Sequence, residues 1–194
     1  MTTFVGSDTS DDKYLGNETV MYGLGGNDIL DADEGSLAFS LYGGEGNDIV
    51  RGYNENDYIF GGAGDDILCG FYGKDWLVGG PGDDQFWFES VQGGPSKIAD
   101  FDLGEDIIGF DKFAFKKLGG DGTLKKAKFY LGDKAHDRSD RVVYDPDSGK
   151  LMYDKNGNKS GGKKLIAKIG KELDLSHKDF IVGDPQEFFD ELYI

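Results

Sequence analysis

Residues 61–69 read GGAGDDILC and residues 79–87 read GGPGDDQFW. Both follow the nine-residue pattern G-G-x-G-x-D-x-U-x, in which U is a large apolar residue. Its copies begin at Gly23, Ala32, Gly43, Gly52, Gly61, Gly70 and Gly79, all nine residues apart except for one step, where Leu41 and Tyr42 are inserted. The U position is filled by Leu30, Phe39, Val50, Ile59, Leu68, Leu77 and Phe86. One apolar residue per fixed period predicts a stack of short strands around a shared core.

The other recurring positions of the repeat are glycines and one aspartate. Glycine tolerates positive φ and close backbone approach, so it suits tight turns. The pattern resembles the calcium-binding repeat of RTX (hemolysin-type) proteins, which stack into a parallel β-roll. The resemblance implies an all-β fold, namely a parallel β-roll that is a calcium-binding solenoid. It also implies that each loop stacks on the loop two repeats away, with calcium between them.

Because two repeats make one coil of a β-roll, alternate loops fall on two edges. The first edge stacks loops whose sixth positions are Asp28, Asp48, Asp66 and Asp84, each preceded by a glycine two residues earlier (Gly26, Gly46, Gly64 and Gly82). The second edge stacks loops whose sixth positions are Leu37, Asp57 and Asp75, and Glu55 replaces a glycine there. We therefore predict unequal edges, with about three calcium sites on the first and about one on the second.

The resemblance assigns the metal ligands to the repeat aspartates and the turn glycines. The predicted ligand residues are Asp28, Asp48, Asp66, Asp84, Asp57, Asp75, Gly26, Gly43, Gly44, Gly46, Gly61, Gly62, Gly64, Gly79, Gly80 and Gly82. Upstream, Asp12 lies in a degenerate loop and is placed to cap the first edge. A site there would bring the prediction to about three to five calcium ions.

Calcium suits these residues better than other metals do. It takes six to eight oxygen ligands, and a glycine turn can aim its carbonyl oxygens inward. Zinc ligands are scarce, since the chain has one cysteine, Cys69, and two scattered histidines, His136 and His177. Magnesium requires a tighter octahedral cage that keeps several waters, which disfavours it. Stacked aspartates on neighbouring coils would repel each other without a cation between them.

The net charge of −16 is distributed unevenly along the 194 residues. Residues 1–100 carry 19 acidic and 4 basic side chains, whereas residues 101–194 carry 18 and 17. The acidic half argues against a nucleic-acid partner, whose phosphates it would repel. No apolar run is long enough to span a membrane, and no N-terminal signal peptide is visible. The single Cys69 rules out an internal disulfide framework.

The sequence predicts four regions. They are an N-terminal cap over residues 1–22, the β-roll over 23–88, a β-rich C-terminal capping region over 89–183, and a tail over 184–194. Residues 97–110 are similar to a segment that follows the roll in many RTX exoproteins, and they predict two short strands around a turn. Residues 140–154 predict a hairpin around a proline- and glycine-containing turn.

Two C-terminal segments have alternative interpretations. Residues 154–158 begin like an EF-hand loop, but Leu165 stands where the bidentate glutamate belongs, which favours a polar turn. The tail combines acidic and apolar residues at its end. It resembles the uncleaved signals that type I secretion machinery reads, and the alternative is an ordinary frayed tail.

The strands after the second edge predict an apolar outer face. If the U residues point inward, Tyr58, Phe60, Trp76 and Val78 point outward. A patch this apolar is seldom bare in a soluble monomer. The favoured interpretation is that the C-terminal half packs on it, and the alternative is a surface for a partner or a polymer.

No catalytic motif stands out in the sequence. There is neither the H-E-x-x-H of zinc proteases nor the G-x-S-x-G of lipases. The leading hypothesis is a non-enzymatic, secreted bacterial protein, exported by type I secretion machinery, whose β-roll folds on extracellular calcium. The second is the C-terminal calcium-folding and secretion module of a larger RTX enzyme or toxin. The third is an adhesion or polysaccharide-binding module with a cell-surface or polysaccharide partner.

Overall fold

The computed structural model describes residues 3–10, 12–14, 19–32 and 37–187. This part of the chain is all-β, with two 3-10 helices at Lys126–Lys128 and His177–Asp179. Its strands are β1 (Thr3–Val5), β2 (Asp12–Tyr14), β3 (Val20–Gly25), β4 (Ile29–Asp31), β5 (Ser40–Glu45), β6 (Ile49–Arg51), β7 (Tyr58–Ala63), β8 (Ile67–Cys69), β9 (Trp76–Val78), β10 (Gln85–Phe88), β11 (Ser96–Ile98), β12 (Ile107–Asp111), β13 (Gly122–Thr123), β14 (Phe129–Leu131), β15 (Val142–Asp145), β16 (Lys150–Asp154), β17 (Lys163–Lys168) and β18 (Phe180–Gly183).

The strands form a parallel β-solenoid with two facing sheets. Successive repeat strands alternate between the sheets, so that odd-numbered strands β1 to β11 lie in one and even-numbered strands β2 to β12 in the other. The ten-stranded sheet runs β1-β3-β5-β7-β9-β11-β17-β16-β15-β14, and the eight-stranded sheet runs β13-β18-β12-β10-β8-β6-β4-β2. The pairing of every second repeat confirms the predicted β-roll.

The predicted apolar side chains fill the space between the sheets. All seven are at most 3 % exposed and belong to one continuous core. The predicted register is wrong, however, for the apolar position of one repeat. In β5 it is Leu41, not Phe39, that pairs with Ile59 at the U position. Leu41 and Tyr42 are therefore strand residues rather than an insertion, and the two extra residues belong to the preceding loop.

The C-terminal region continues both sheets beyond the last repeat. Strand β11 pairs in parallel with β9 and then with β17, while β12 pairs with β10 and then with β18. Strands β15, β16 and β17 form an antiparallel meander that includes the predicted hairpin. The same hydrophobic core runs from the repeats into this region, where it includes Phe110, Tyr153 and Phe180. The four region boundaries remain predictions.

The expectation that the C-terminal half covers the outer face of the roll is wrong. Tyr58 and Trp76 on that face are 54 % and 38 % exposed. The C-terminal strands instead pair with the open edges of β9 and β10, because unpaired backbone groups at a sheet edge demand hydrogen-bond partners. The Lys97 ammonium lies over the Trp76 ring, but Tyr58 and Trp76 stay exposed on this face.

No helix among the described residues is long and apolar enough to cross a membrane. The end of the tail, residues 188–194, lies outside the described residues. The interpretation of that segment as a secretion signal therefore stays a prediction.

Candidate calcium centre

The aspartates of the first edge form a ladder along the solenoid. Each backbone N–H donates to Oδ1 of the aspartate one coil further on, from Asp28 to Asp48 at 2.8 Å, from Asp48 to Asp66 at 2.8 Å, and from Asp66 to Asp84 at 2.9 Å. The second edge repeats the arrangement, since Asp57 N–H donates to Asp75 Oδ1 at 3.2 Å. One oxygen of each accepting carboxylate therefore holds adjacent coils together.

The other carboxylate oxygen has a different environment. Oδ2 of Asp48, Asp57, Asp66 and Asp84 is buried and accepts no hydrogen bond, and these four residues are at most 1 % exposed. A buried acceptor without a partner destabilises a fold by about 1–3 kcal/mol, and more when it is charged. Four such oxygens at equivalent positions fit a set of cation ligands, because cations bound between successive coils on each edge would satisfy them.

The turn glycines bring the loops into close contact. Gly62 has a φ of +127°, and a Cβ there would overlap the carbonyl oxygen of Gly44 on the preceding coil. The same holds at Gly44, Gly46, Gly64, Gly80 and Gly82, and Gly26 shares the positive φ. At Gly43, Gly61 and Gly79, a Cβ would instead overlap Oδ2 of the aspartate in the same loop. A Cβ at Gly26 would instead meet backbone atoms of Thr9 and Ser10. The other predicted glycines lie where backbone oxygens or carboxylates crowd together, as ligation of calcium by turn carbonyls would require.

Comparison with known families agrees with this geometry. A model of the RTX calcium-binding nonapeptide repeat matches the chain in four copies, over residues 20–36, 42–70 and 70–87. The described part of residues 20–87 is therefore a β-roll of RTX repeats. No curated protein matches the chain. The repeat is a structural calcium-binding repeat and is generally non-catalytic, and proteins that carry it are typically extracellular.

The second edge of the RTX β-roll keeps the loop conformation although other residues replace three of its glycines. Tyr53, Glu55 and Phe71 all have φ between +63° and +69°, which is uncommon for residues other than glycine. Asp75 differs from the other repeat aspartates because its Oδ2 accepts a hydrogen bond from Ser96 Oγ at 3.0 Å. On this edge, an unpartnered buried oxygen remains at Asp57 among the described residues.

The first loop of the second edge departs further from the repeat. Strand pairing aligns Ser40 with Tyr58, so Phe39 rather than Leu37 occupies the place of Asp57 on the preceding coil. The Phe39 N–H donates to Asp57 Oδ1 at 2.8 Å, which continues the backbone ladder. The loop lacks an aspartate at this position, as the sequence suggested, although the residue that fills it is a different one.

The ladder of the RTX β-roll also continues past the last recognisable repeat. Asp84 N–H donates to Asp106 Oδ1 at 3.0 Å, and the carboxylate of Asp100 accepts hydrogen bonds from the N–H groups of Gly79 and Gly80. The step from Asp84 to Asp106 is 22 residues instead of 18, so a fixed period misses it. The signal that could have revealed it is the D-F-x-x-G-x-D segment itself, which repeats the glycine-then-aspartate order.

A second ladder involves the fifth position of the repeat. Side-chain oxygens of Asn27, Asn47 and Asp65 accept hydrogen bonds from the N–H at the same position one coil later, at 2.9–3.0 Å. Asn56 does the same on the second edge. Asparagine or aspartate recurs at position five in the sequence, although the nine-residue pattern leaves this position variable. These side chains accept backbone hydrogen bonds on the exposed side of the loops.

Asp12 is the one predicted ligand at the N-terminal end. It lies in β2, where its backbone pairs with Ile29, one residue beyond Asp28. The position that matches Asp28 is residue 11, which lies outside the described residues, and the Asp12 side chain does too. The capping site therefore remains a prediction, and the pairing of β2 with β4 moves its expected position from Asp12 to the preceding residue.

Burial changes the acidity of the repeat aspartates. It raises the pKa of Asp48 to about 6, of Asp75 and Asp84 to about 7, and of Asp57 and Asp66 to about 8. Carboxylates on adjacent coils raise the pKa of Asp66 further, whereas a backbone N–H donor lowers it. A buried carboxyl group without a cation thus tends to keep its proton.

These raised pKa values predict how the metal-free roll responds to pH. The protonated carboxyls stabilise the fold fully below the unfolded-chain pKa of about 4, and this stabilisation is lost as the pH rises through about 6 to 8. In a chelator, we therefore expect the β-signal in circular dichroism to increase when the pH is lowered from about 8 to about 5. The calcium affinity should change in the opposite sense, because protons compete for the same oxygens. A metal-free roll that gains stability on going from pH 5 to 8 would contradict this account.

Proposed function

We propose that this chain is a secreted, non-enzymatic calcium-binding protein whose RTX β-roll folds when it binds extracellular calcium. The observation that carries the proposal is the set of buried Oδ2 atoms without partners on Asp48, Asp57, Asp66 and Asp84. A folded protein that left these carboxylates charged and unsatisfied would be strongly destabilised. Calcium supplies the missing positive charge and accepts oxygen ligands from both sides of each loop.

The geometry supports a division of the calcium ions between the edges. Asp48, Asp66 and Asp84 on the first edge each offer a buried oxygen, which suits about three ions together with the carbonyls of the flanking glycines. On the second edge, Asp57 offers one and Asp75 is already bonded to Ser96, which suits about one ion. Asp106 and Asp100 extend the acidic ladder by one coil and would help to close the last site.

The proposed export route follows from the same dependence on calcium. A chain with 19 acidic side chains in its first hundred residues repels itself where free calcium is scarce and would stay unfolded there. Type I secretion machinery would move this unfolded chain out of the cell. Outside, sites of only about 10⁻⁴–10⁻³ M affinity suffice, as in other extracellular calcium modules.

Neighbouring aspartates offer a matched pair of variants to test the ligand assignment. In Asp66→Asn, Oδ1 can still accept the Asp48 N–H, but the charge and the buried Oδ2 are lost. We expect the number of bound calcium ions to fall by about one or two, because adjacent coils share ligands. Asp65→Asn removes the same charge from the exposed position five and retains an acceptor for Asp83 N–H. It should bind calcium as the wild type does.

Isothermal titration calorimetry with calcium, checked by elemental analysis of the dialysed protein, measures how many calcium ions each variant binds. Equal calcium binding by both variants would overturn the assignment of the position-six aspartates. If only Asp65→Asn bound fewer calcium ions, the ligands would have to be assigned to the exposed side of the loops.

A further inference from the structure

A straight row of side chains crosses the outer face of the ten-stranded sheet. The row consists of Tyr58, Trp76, Lys97, Lys168 and Lys150, which are direct partners on the successive strands β7, β9, β11, β17 and β16. We call these five residues the outer row. Neighbouring strands lie about 4.8 Å apart, so the row is a line of regularly spaced groups, aromatic at one end and cationic at the other.

The three lysines of the outer row are unusual in so acidic a chain. Like charges directly opposite each other on adjacent strands are destabilising, yet Lys97, Lys168 and Lys150 are in register and exposed. Within the described residues, none of them has a carboxylate within salt-bridge distance. Asp145 is the acidic residue that pairs with the row, opposite Lys150 at its end, and its carboxylate accepts a hydrogen bond from Ser148. The positive charge of Lys97 and Lys168 is therefore available to an anion from outside the chain, whereas Lys150 also interacts electrostatically with Asp145.

The aromatic end of the outer row is equally accessible. Trp76 holds the Lys97 ammonium 3.7 Å from its ring centroid, which keeps this cation on the outer face. Tyr58 and Trp76 line a recess of about 240 Å³ together with Asn56, Lys74, Pro95 and Lys97. Asp57 and Asp75 also line it, but these two residues are at most 3 % exposed. Beside them, Tyr22, Tyr42 and Phe60 stack with centroids 4.8 Å apart, which makes this part of the sheet face rigid.

We propose that the outer row binds an acidic polysaccharide. A sugar acid presents an apolar C–H face that packs on tyrosine and tryptophan rings, and a carboxylate that pairs with lysine. A linear chain of such units matches a linear row in which aromatic groups and then lysines follow each other at one strand spacing. The proposal goes beyond calcium binding and rests on it in one respect, since the row exists only when the roll is folded.

Other partners fit the outer row less well. The strands that carry it lie inside the sheet with both edges paired, so a peptide cannot add to them as a further strand. Double-stranded nucleic acid carries one phosphate per about 1.7 Å of its axis and would meet strong repulsion from a chain of net charge −16. A uronic-acid polymer carries one carboxylate per sugar, which is a lower charge density than that of a nucleic-acid duplex, and offers the apolar faces that Tyr58 and Trp76 require.

The test is calorimetric titration of the folded protein, in saturating calcium, with a short oligogalacturonate that does not gel. We expect binding that weakens about tenfold in the double variant Lys97→Ala/Lys168→Ala, since each exposed ion pair contributes only modestly to affinity. Trp76→Ser should weaken it by a similar factor. The matched control Lys116→Ala/Lys126→Ala removes two exposed lysines elsewhere and should bind as the wild type does. Circular dichroism in calcium confirms that each variant is folded.

Three results would overturn the proposal. They are no binding by the wild type, equal weakening by the control and the outer-row variants, and undiminished binding of the methyl-esterified, uncharged oligosaccharide. Binding of polyglutamate as tight as that of the oligogalacturonate would also overturn it, because the sugar would then contribute nothing. A protein that binds calcium and folds but fails these titrations refutes the polysaccharide site alone and leaves the calcium proposal intact.

Discussion

Removal of calcium at neutral pH is expected to unfold the roll. When free calcium is about a hundredfold above Kd, each site stabilises the folded state by about 2.7 kcal/mol. Four sites together would contribute about 11 kcal/mol, which is comparable with the total stability of a typical domain, about 5–15 kcal/mol. Chelation also leaves the buried Oδ2 atoms of Asp48, Asp57, Asp66 and Asp84 without partners. The loss should therefore exceed what the metal-free fold can sustain.

Circular dichroism and size-exclusion chromatography measure this effect directly. In chelator the chain should lose most of its β-signal and elute as an expanded chain, and added calcium should restore both. Magnesium at the same concentration is the control for charge screening, because its octahedral preference fits these sites poorly. Full β-structure and an unchanged melting temperature in chelator would contradict the proposal that calcium drives folding.

The nine-residue period made most of the roll predictable from the sequence. A fixed spacing decides which loops stack, so the two edges and the inward Val50 and Leu68 follow from counting residues. Counting could not place the two extra residues near residue 40. Phe39 and Leu41 are two positions apart, so both point into the core and both satisfy the apolar pattern. Only the pairing of Leu41 with Ile59 shows which of them continues the repeat.

The nine-residue period does not predict where the C-terminal region packs. Strand alternation correctly indicates that Tyr58 and Trp76 point outward, but it does not say what covers them. Exposing an apolar face destabilises the fold in proportion to the exposed area. An open strand edge leaves a whole row of backbone N–H and C=O groups without hydrogen-bond partners. The chain satisfies the edges of β9 and β10 first. The sequence pattern misses Asp106 because its loop continues the hydrogen-bonded ladder of aspartates but does not follow the nine-residue period.

Substitution of a single turn glycine should be the most damaging point change in the roll. Gly62 has a φ of +127°, and a Cβ at this position would overlap the Gly44 carbonyl oxygen. Gly62→Ala therefore combines backbone strain with a collision between two coils at the centre of the first edge. We expect a loss of about 3 kcal/mol or more in the free energy of unfolding in calcium. Calcium affinity should fall as well, because the coils that share ligands would be forced apart.

Gly119→Ala separates the two causes. Gly119 has almost the same φ, +128°, but nothing lies within 4 Å of a Cβ built there. Gly119→Ala should therefore lower the free energy of unfolding only by the backbone strain, about 1–2 kcal/mol, and should leave calcium binding unchanged. Urea unfolding of both variants in saturating calcium, with the calcium titration repeated on each, measures the difference. If Gly62→Ala were no more damaging than Gly119→Ala, the close approach of the coils would not be what the repeat glycines protect, and their role would reduce to the turn conformation.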